Sequence, residues 1–282
     1  MDQVRSSALS GCILLWLKKS DTIQGFERTG AEFSPRMLGL ALSLLAIPAA
    51  AQWINYPTPG TPRTKDGKPN LSAATPKMPD GKPDFSGVWE VPTHKFLENL
   101  PDGIEISMLP WAEKLYKERQ DNEGKDRPSG RCLPHSVTDF DAHFTPKKVV
   151  QTPGVLLLLF ESYHSFRQIF TDGRPLPKDP EPAWFGYSAG KWEGDTLVVN
   201  TVGITEKTWL DDAGHPHSDA MRLIERFRRR DFGHMEVQLT IDDAKAYAKP
   251  WSVTIPWNLM PDTDLLDWVC ENEKDYQHLV GK

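Results

Sequence analysis

The stretch from Glu161 to Glu225 gathers the groups that proton-transfer chemistry needs. Glu161, His164, Arg167, Asp172, Asp211, His215, His217 and Glu225 all fall within it. Imidazoles and carboxylates exchange protons near neutral pH, and a guanidinium stabilises negative charge as it develops. His215 and His217 form an H-x-H pair in Gly214-His-Pro-His-Ser, where the proline and glycine imply a loop. Two imidazoles at this spacing serve as metal ligands when they share one side of an extended chain. They serve equally for acid/base work or substrate contact, with Asp211 close by to orient a ring. His164 follows Glu161 by three residues, so a turn at Ser162-Tyr163 lets carboxylate and imidazole face each other.

In Leu223-Ile-Glu-Arg-Phe, strand alternation puts Glu225 on the face of Leu223 and Phe227. A carboxylate there needs a partner or a raised pKa. It is read either as a general acid or base, or as half of a buried ion pair with an arginine such as Arg167. Trp192, Trp209 and Tyr163 lie near the polar cluster in sequence and are candidates to line a ligand pocket. The chain has no G-x-S-x-G, Walker A or G-x-G-x-x-G motif, and no cysteine with an evident base. Covalent and nucleotide chemistry are therefore not indicated. Lys147-Lys148 and Arg228-Arg229-Arg230 read as solvated charge runs.

These residues need elements to hold them. From Val149 onward the pattern is β, in short segments separated by turns. Met235, Val237, Leu239 and Ile241 share one face of a strand, as do Trp251, Val253, Ile255, Trp257 and Leu259; this is the period of a sheet with one buried face. Glu193-Gly194-Asp195 and Asp231-Phe232-Gly233 mark hairpins. Gly87-Val-Trp-Glu-Val opens the folded part, a final strand is expected at Leu265–Cys270, and Pro110 to Asn122 reads as a helix with proline in its first turn. About nine strands in successive hairpins predict a mostly β domain. The expected fold is an antiparallel meander closed or curled into a barrel, with one short helix and an extended N-terminal arm. A β-sandwich is the alternative. The absence of βαβ spacing argues against Rossmann and TIM folds.

The termini speak to location. Arg36, the apolar run from Met37 and Ala49-Ala50-Ala51 have the form of a secretory signal peptide over 37–51, within a presequence of 1–51. That run is too short to span a bilayer, so no integral span is expected after cleavage, and the protein is expected to be periplasmic or secreted. Residues 52–86 form a proline-rich arm, and 87–282 a single β domain. The arm repeats itself: Asp66-Gly-Lys-Pro-Asn-Leu-Ser returns as Asp80-Gly-Lys-Pro-Asp-Phe-Ser. The chain carries a net charge of −6, which does not suit nucleic acid or an anionic membrane surface. Removal of Cys12 with the presequence leaves Cys132 and Cys270, an expected disulfide in an oxidising compartment.

Several of these segments are familiar together. Trp53-Ile-Asn-Tyr-Pro-Thr-Pro-Gly-Thr-Pro-Arg, Asp80-Gly-Lys-Pro-Asp-Phe-Ser-Gly-Val-Trp, Phe166-Arg-Gln-Ile-Phe-Thr-Asp-Gly-Arg-Pro, Trp192-Glu-Gly-Asp-Thr-Leu-Val-Val and Gly214-His-Pro-His-Ser resemble a family of exported bacterial proteins. That resemblance implies export and one folded unit, and no particular activity. Ser86-Gly87-Val88-Trp89 leading into a β-meander is also similar to lipocalin-like (calycin) barrels, which implies architecture only.

The resulting expectation is an exported β-barrel with a small-molecule pocket. It would act as a cofactor-independent acid/base enzyme (isomerase, lyase or hydrolase) on a partly apolar substrate. His164, His215 or His217 would exchange the proton, Glu161, Asp211 or Glu225 would assist, and Arg167 would stabilise charge. The alternatives are a non-catalytic lipocalin-like binder of an apolar or aromatic ligand, and a metal protein using His164, His215 and His217.

Overall fold

The computed structural model describes residues 56–133 and 136–266. Nine strands close into one barrel in sequence order. They are β1 (Gly87–Glu90), β2 (Lys147–Thr152), β3 (Val155–Phe160), β4 (Phe166–Phe170), β5 (Tyr187–Glu193), β6 (Thr196–Val202), β7 (Arg222–Arg229), β8 (His234–Asp242) and β9 (Trp251–Leu259). Closure by β1 against β9 leaves no sheet edge exposed for pairing with another chain. The barrel is thus as expected from the alternation. The expected presequence and most of the last expected strand lie outside the described residues.

The inward face is the one the alternation marks. Met235, Val237, Leu239 and Ile241 on β8 are 0–1% exposed, and Trp257, Ile255 and Phe227 match them. Each such side chain contributes roughly 1.5–3 kcal/mol by leaving water. Register ties them across the wall: Val199, Glu225, Leu239 and Val253 lie side by side on β6 to β9. The barrel interior is therefore a packed core.

Two features depart from expectation. The meander is not wholly antiparallel, because β4 and β5 pair in parallel through Ile169–Ser188 and Phe170–Ala189. Residues 171–186 return the chain to the end from which β4 began. Four prolines there (Pro175, Pro177, Pro180, Pro182) lack the N–H that a ladder requires, so this stretch crosses over instead of forming a strand. Among the described residues, two shorter α-helical segments also accompany the expected helix α2 (Pro110–Asp121): α1 (Lys95–Glu98) and α3 (Val137–Ala142). All six residues of α3 are buried, and its N-cap Ser136 accepts a hydrogen bond from the Asp139 amide.

Strand directions give the barrel two distinct ends. One holds Glu161–Ser165, the β6–β7 and β8–β9 connections and α3. The other holds the β2–β3, β5–β6 and β7–β8 turns, and the arm lies across it. The arm's repeat is structural. Thr64 donates to the Lys68 carbonyl and Asn70 to that of Pro62; fourteen residues later, Met78 donates to Lys82 and Asp84 to Pro76. Gly67 and Gly81 supply the positive φ that each Asp-Gly turn requires, +77° and +81°. The arm is thus two small hairpins on the barrel end, with extended chain between them.

Anchors fix this arrangement. Arg63 forms a two-point contact with Asp262, and Lys77 pairs with Asp195. Gly233 N–H donates to the Leu71 carbonyl and Phe232 N–H to that of Ala73. A Cβ at Gly233 would lie 2.4 Å from Leu71 Cβ. Gly233→Ala should therefore displace the first hairpin at a cost of roughly 1–3 kcal/mol, the usual penalty of overpacking. Limited proteolysis should then cut the arm well before the barrel, and an arm as protease-resistant as in the parent chain would contradict this docking.

Candidate functional site

The ionisable residues singled out in the sequence fall into two centres. The first is inside the barrel. Arg167 donates from Nη1 to Glu225 Oε1 (2.7 Å) and from Nη2 to Oε2 (2.5 Å), with both side chains at most 1% exposed. The same guanidinium donates to Ser188 Oγ and Thr201 Oγ1 at 3.0 and 2.9 Å. Glu225 therefore faces inward, and the ion-pair reading of it is the one the geometry gives. A fork-to-fork pair with hydroxyls on its flanks satisfies both charges where water is absent.

Asp141 on α3 extends this centre. Neither of its carboxylate oxygens receives a hydrogen bond from a donor. Burial, then the neighbouring Glu225 charge, hold its carboxyl well above the usual range, against Arg167 and Lys147. Its environment thus favours the protonated form, with Glu225 the nearest competing charge. Lys147 lies nearby, 1% exposed, donating to the His143 carbonyl at 2.8 Å with Nζ 4.7 Å from the Trp257 ring centre. Burial pulls its pKa down to about 7, with Asp141 and Glu90 opposing. Lys147 and Arg229, read as members of solvated charge runs, are instead buried. In a strand one member of each adjacent pair must face inward, and these are the inward members.

The second centre lies at the α3 end, in the β6–β7 connection. Asp211 is 2% exposed and organises the loop: its carboxylate accepts from Leu100 N–H (2.7 Å), His215 N–H (3.1 Å) and His215 Nδ1–H (2.7 Å). A carboxylate at Nδ1 fixes the ring tautomer and leaves Nε2 as the basic nitrogen. Among the described residues nothing hydrogen-bonds Nε2. The imidazole stacks on Tyr116 of α2, with centroids 4.4 Å apart and planes at 23°.

The surroundings are rich in perturbed groups. Arg119 lies over Trp209 (4.3 Å), donates to the Gly214 carbonyl, and is pushed down to about 10 by burial. Burial raises Tyr116, with Asp211 adding to the effect, and it raises Asp212 against the pull of Arg127 at 3.0 Å. Tyr163 holds a left-handed backbone, φ +59°, uncommon for an aromatic residue. Helix α2 supplies much of this grip on the loop, and neither Tyr116 nor Arg119 stood out in the sequence. Their i, i+3 spacing on one helix face is the signal that was present.

The other candidates are placed as follows. His217 is buried, its Nδ1 donates to the Ser218 carbonyl, and its Nε2 is 2.7 Å from Thr208 Oγ1. Burial lowers its pKa, and both ring nitrogens lie within hydrogen-bond distance of loop atoms. Ser218 bonds Asp243 through N–H and Oγ. Glu161 accepts from Leu266 N–H at 2.9 Å. The His164 side chain and Cys270, the expected partner of Cys132, lie outside the described residues. Trp192, Trp209 and Tyr163 do not line one pocket. Trp192 packs on Phe85 at the arm end (5.2 Å), while Trp209 and Tyr163 belong to the α3 end. Among the described residues no three His, Cys, Asp or Glu side chains are grouped to hold a metal ion. No described helix is long and apolar enough to cross a membrane.

The buried acids make opposite predictions. Glu225→Gln leaves Arg167 unpaired in the core and should cost roughly 3–5 kcal/mol. Asp141→Asn mimics a neutral acid and should cost about 1 kcal/mol or less. The sign of the pH effect follows from the raised folded-state value. Asp141 binds its proton more tightly when folded, so its contribution is complete below the unfolded pKa of about 3.9 and declines as pH rises from there toward the folded value. Urea unfolding across this range should show that decline in the parent and lose it in Asp141→Asn. An identical slope in the two would contradict a protonated Asp141. Comparison with family models, curated proteins and solved structures found no match, so the functional reading rests on this geometry.

Proposed function

We propose that the protein is an exported β-barrel that carries out proton transfer on a small, partly apolar molecule at its α3 end. His215 Nε2 is the base and, once protonated, the acid. Asp211 holds the ring in the required tautomer and stabilises the imidazolium. Arg167 and Glu225 are assigned a positioning role, since each already satisfies the other. His217 is assigned to the loop's internal bonding. The observation that carries this reading is the buried Asp211–His215 pair, with Nδ1 held at 2.7 Å and no bond to Nε2 among the described residues.

Support also comes from the density of shifted titratable groups around it. Such groups collect where an active site imposes burial and charge together. A cavity of about 250 Å³ between Leu115, Arg119 and Trp209 adjoins the same loop. A cofactor is not required by this chemistry, and the substrate class that fits is a carbon or oxygen acid of isomerase, lyase or hydrolase reactions.

The test compares small-molecule extracts of the producing cells after incubation with the mature parent protein, His215→Asn and Asp211→Asn. The parent should change the abundance of specific compounds. His215→Asn should lose that change, and Asp211→Asn should reduce it by roughly 10²–10⁴-fold, the usual range for acid/base contributions. Equal conversion by the parent and His215→Asn, or no conversion by any of the three, would remove the proposal.

A further inference from the structure

The arm end of the barrel contains a cavity of about 600 Å³, within the range of small-molecule sites. It is distinct from the Asp211–His215 centre, which lies at the opposite end. Val88, Leu259, Met260 and Phe232 of the barrel line it together with Tyr56 and Pro59 of the arm. The arm side is anchored. Thr58 N–H donates to Asp262 Oδ1, Asp262 N–H donates back to Thr58 Oγ1, and Arg63 clamps the same carboxylate. Farther along the arm Thr75 Oγ1 donates to the Arg229 carbonyl. The arm is therefore fixed to the barrel at more than one point beside the space.

We propose that this cavity is a binding site for a neutral, mainly apolar small molecule. The charge balance sets the class. Four charged residues line the space, Asp84, Lys148, Arg229 and Asp264, and their formal charges cancel. Lys148 bonds both oxygens of Asp264 at 2.8 and 3.0 Å. Arg229 donates to the carbonyls of Asp84, Ser86, Asp231 and Phe232, which occupy four of its five N–H groups. Asp84 accepts from the Ser86 amide. A charged ligand would enter an apolar space whose ionic groups are already partnered, and would lose hydration without replacement. A neutral ligand covers the apolar lining without that loss.

Two dyes with one aromatic skeleton test this: neutral N-phenyl-1-naphthylamine and anionic 8-anilino-1-naphthalenesulfonate, titrated by fluorescence against the full chain. The neutral dye should bind one-to-one in the micromolar range, and the anion at least roughly tenfold more weakly because its charge is left unpaired. Met260→Trp on the barrel and Thr61→Trp on the arm each add a large side chain to the lining. Each should abolish binding, with circular dichroism confirming the fold; if one variant does not fold, the other decides. Equal affinity for the two dyes would overturn the ligand class. Undiminished binding by a folded filled variant, or no binding of the neutral dye by the parent, would overturn the site. None of these outcomes depends on His215, so the proposal stands or falls separately from proton transfer.

Discussion

The structure depends on a charge pair held where water is absent. Arg167 and Glu225 meet inside a barrel whose inward positions are mainly apolar, apart from Ser188 and Thr201 at the pair and Lys147 and Arg229 on β2 and β7. Either group alone would be a large destabilising term, so each fixes the position of the other. That constraint sets which way β4 and β7 face, and with them the register of β6 and β8. It also bears on what sits above: Asp141 on the buried helix α3 feels the charges of both Glu225 and Arg167. A polar cluster is thus the joint between the barrel wall and the helix that closes it.

The two ends differ because the chain closes them by different means. At the α3 end, short helices and the β6–β7 loop pack together through bonds to backbone: Thr138 Oγ1 to the Leu210 carbonyl, Leu100 N–H to Asp211, and Tyr247 hydroxyl to the Pro216 carbonyl. These bonds hold an imidazole in one tautomer beside an aromatic ring. At the other end a proline-rich arm spans the opening on two hairpins of the same design. Proline-rich chain has few N–H groups to donate and limited flexibility, so it bridges a gap without filling it. A partly open, mainly apolar space is the consequence.

Much of this was legible in the sequence, and particular residues show why. Strand alternation placed Glu225 inward and gave β8 and β9 their buried faces, because a period of two has only one solution once a face is apolar. The Asp-Gly-Lys-Pro repeat announced turns in an extended arm lying on the domain, though not that each turn would close a small hairpin. Lys147 and Arg229 were misread because adjacent charges look solvated, whereas alternation drives one of each pair inside. Asp141 was invisible, since a neutral acid is defined by neighbours that come from distant strands. Tyr116 and Arg119 escaped notice for a similar reason: a helix with a polar face gives no sign of the loop it will grip. The parallel β4–β5 pair was hidden in a proline-rich crossover that reads as an ordinary loop.

The central functional claim is that Asp211 holds His215 with its proton on Nδ1 and its lone pair on Nε2. Side-chain ¹H–¹⁵N correlation spectra of the histidines, assigned with His215→Asn, measure this directly. His215 should be seen as the Nδ1–H tautomer, and Asp211→Asn should disturb that preference. A His215 ring carrying its proton on Nε2 in the parent protein would contradict it.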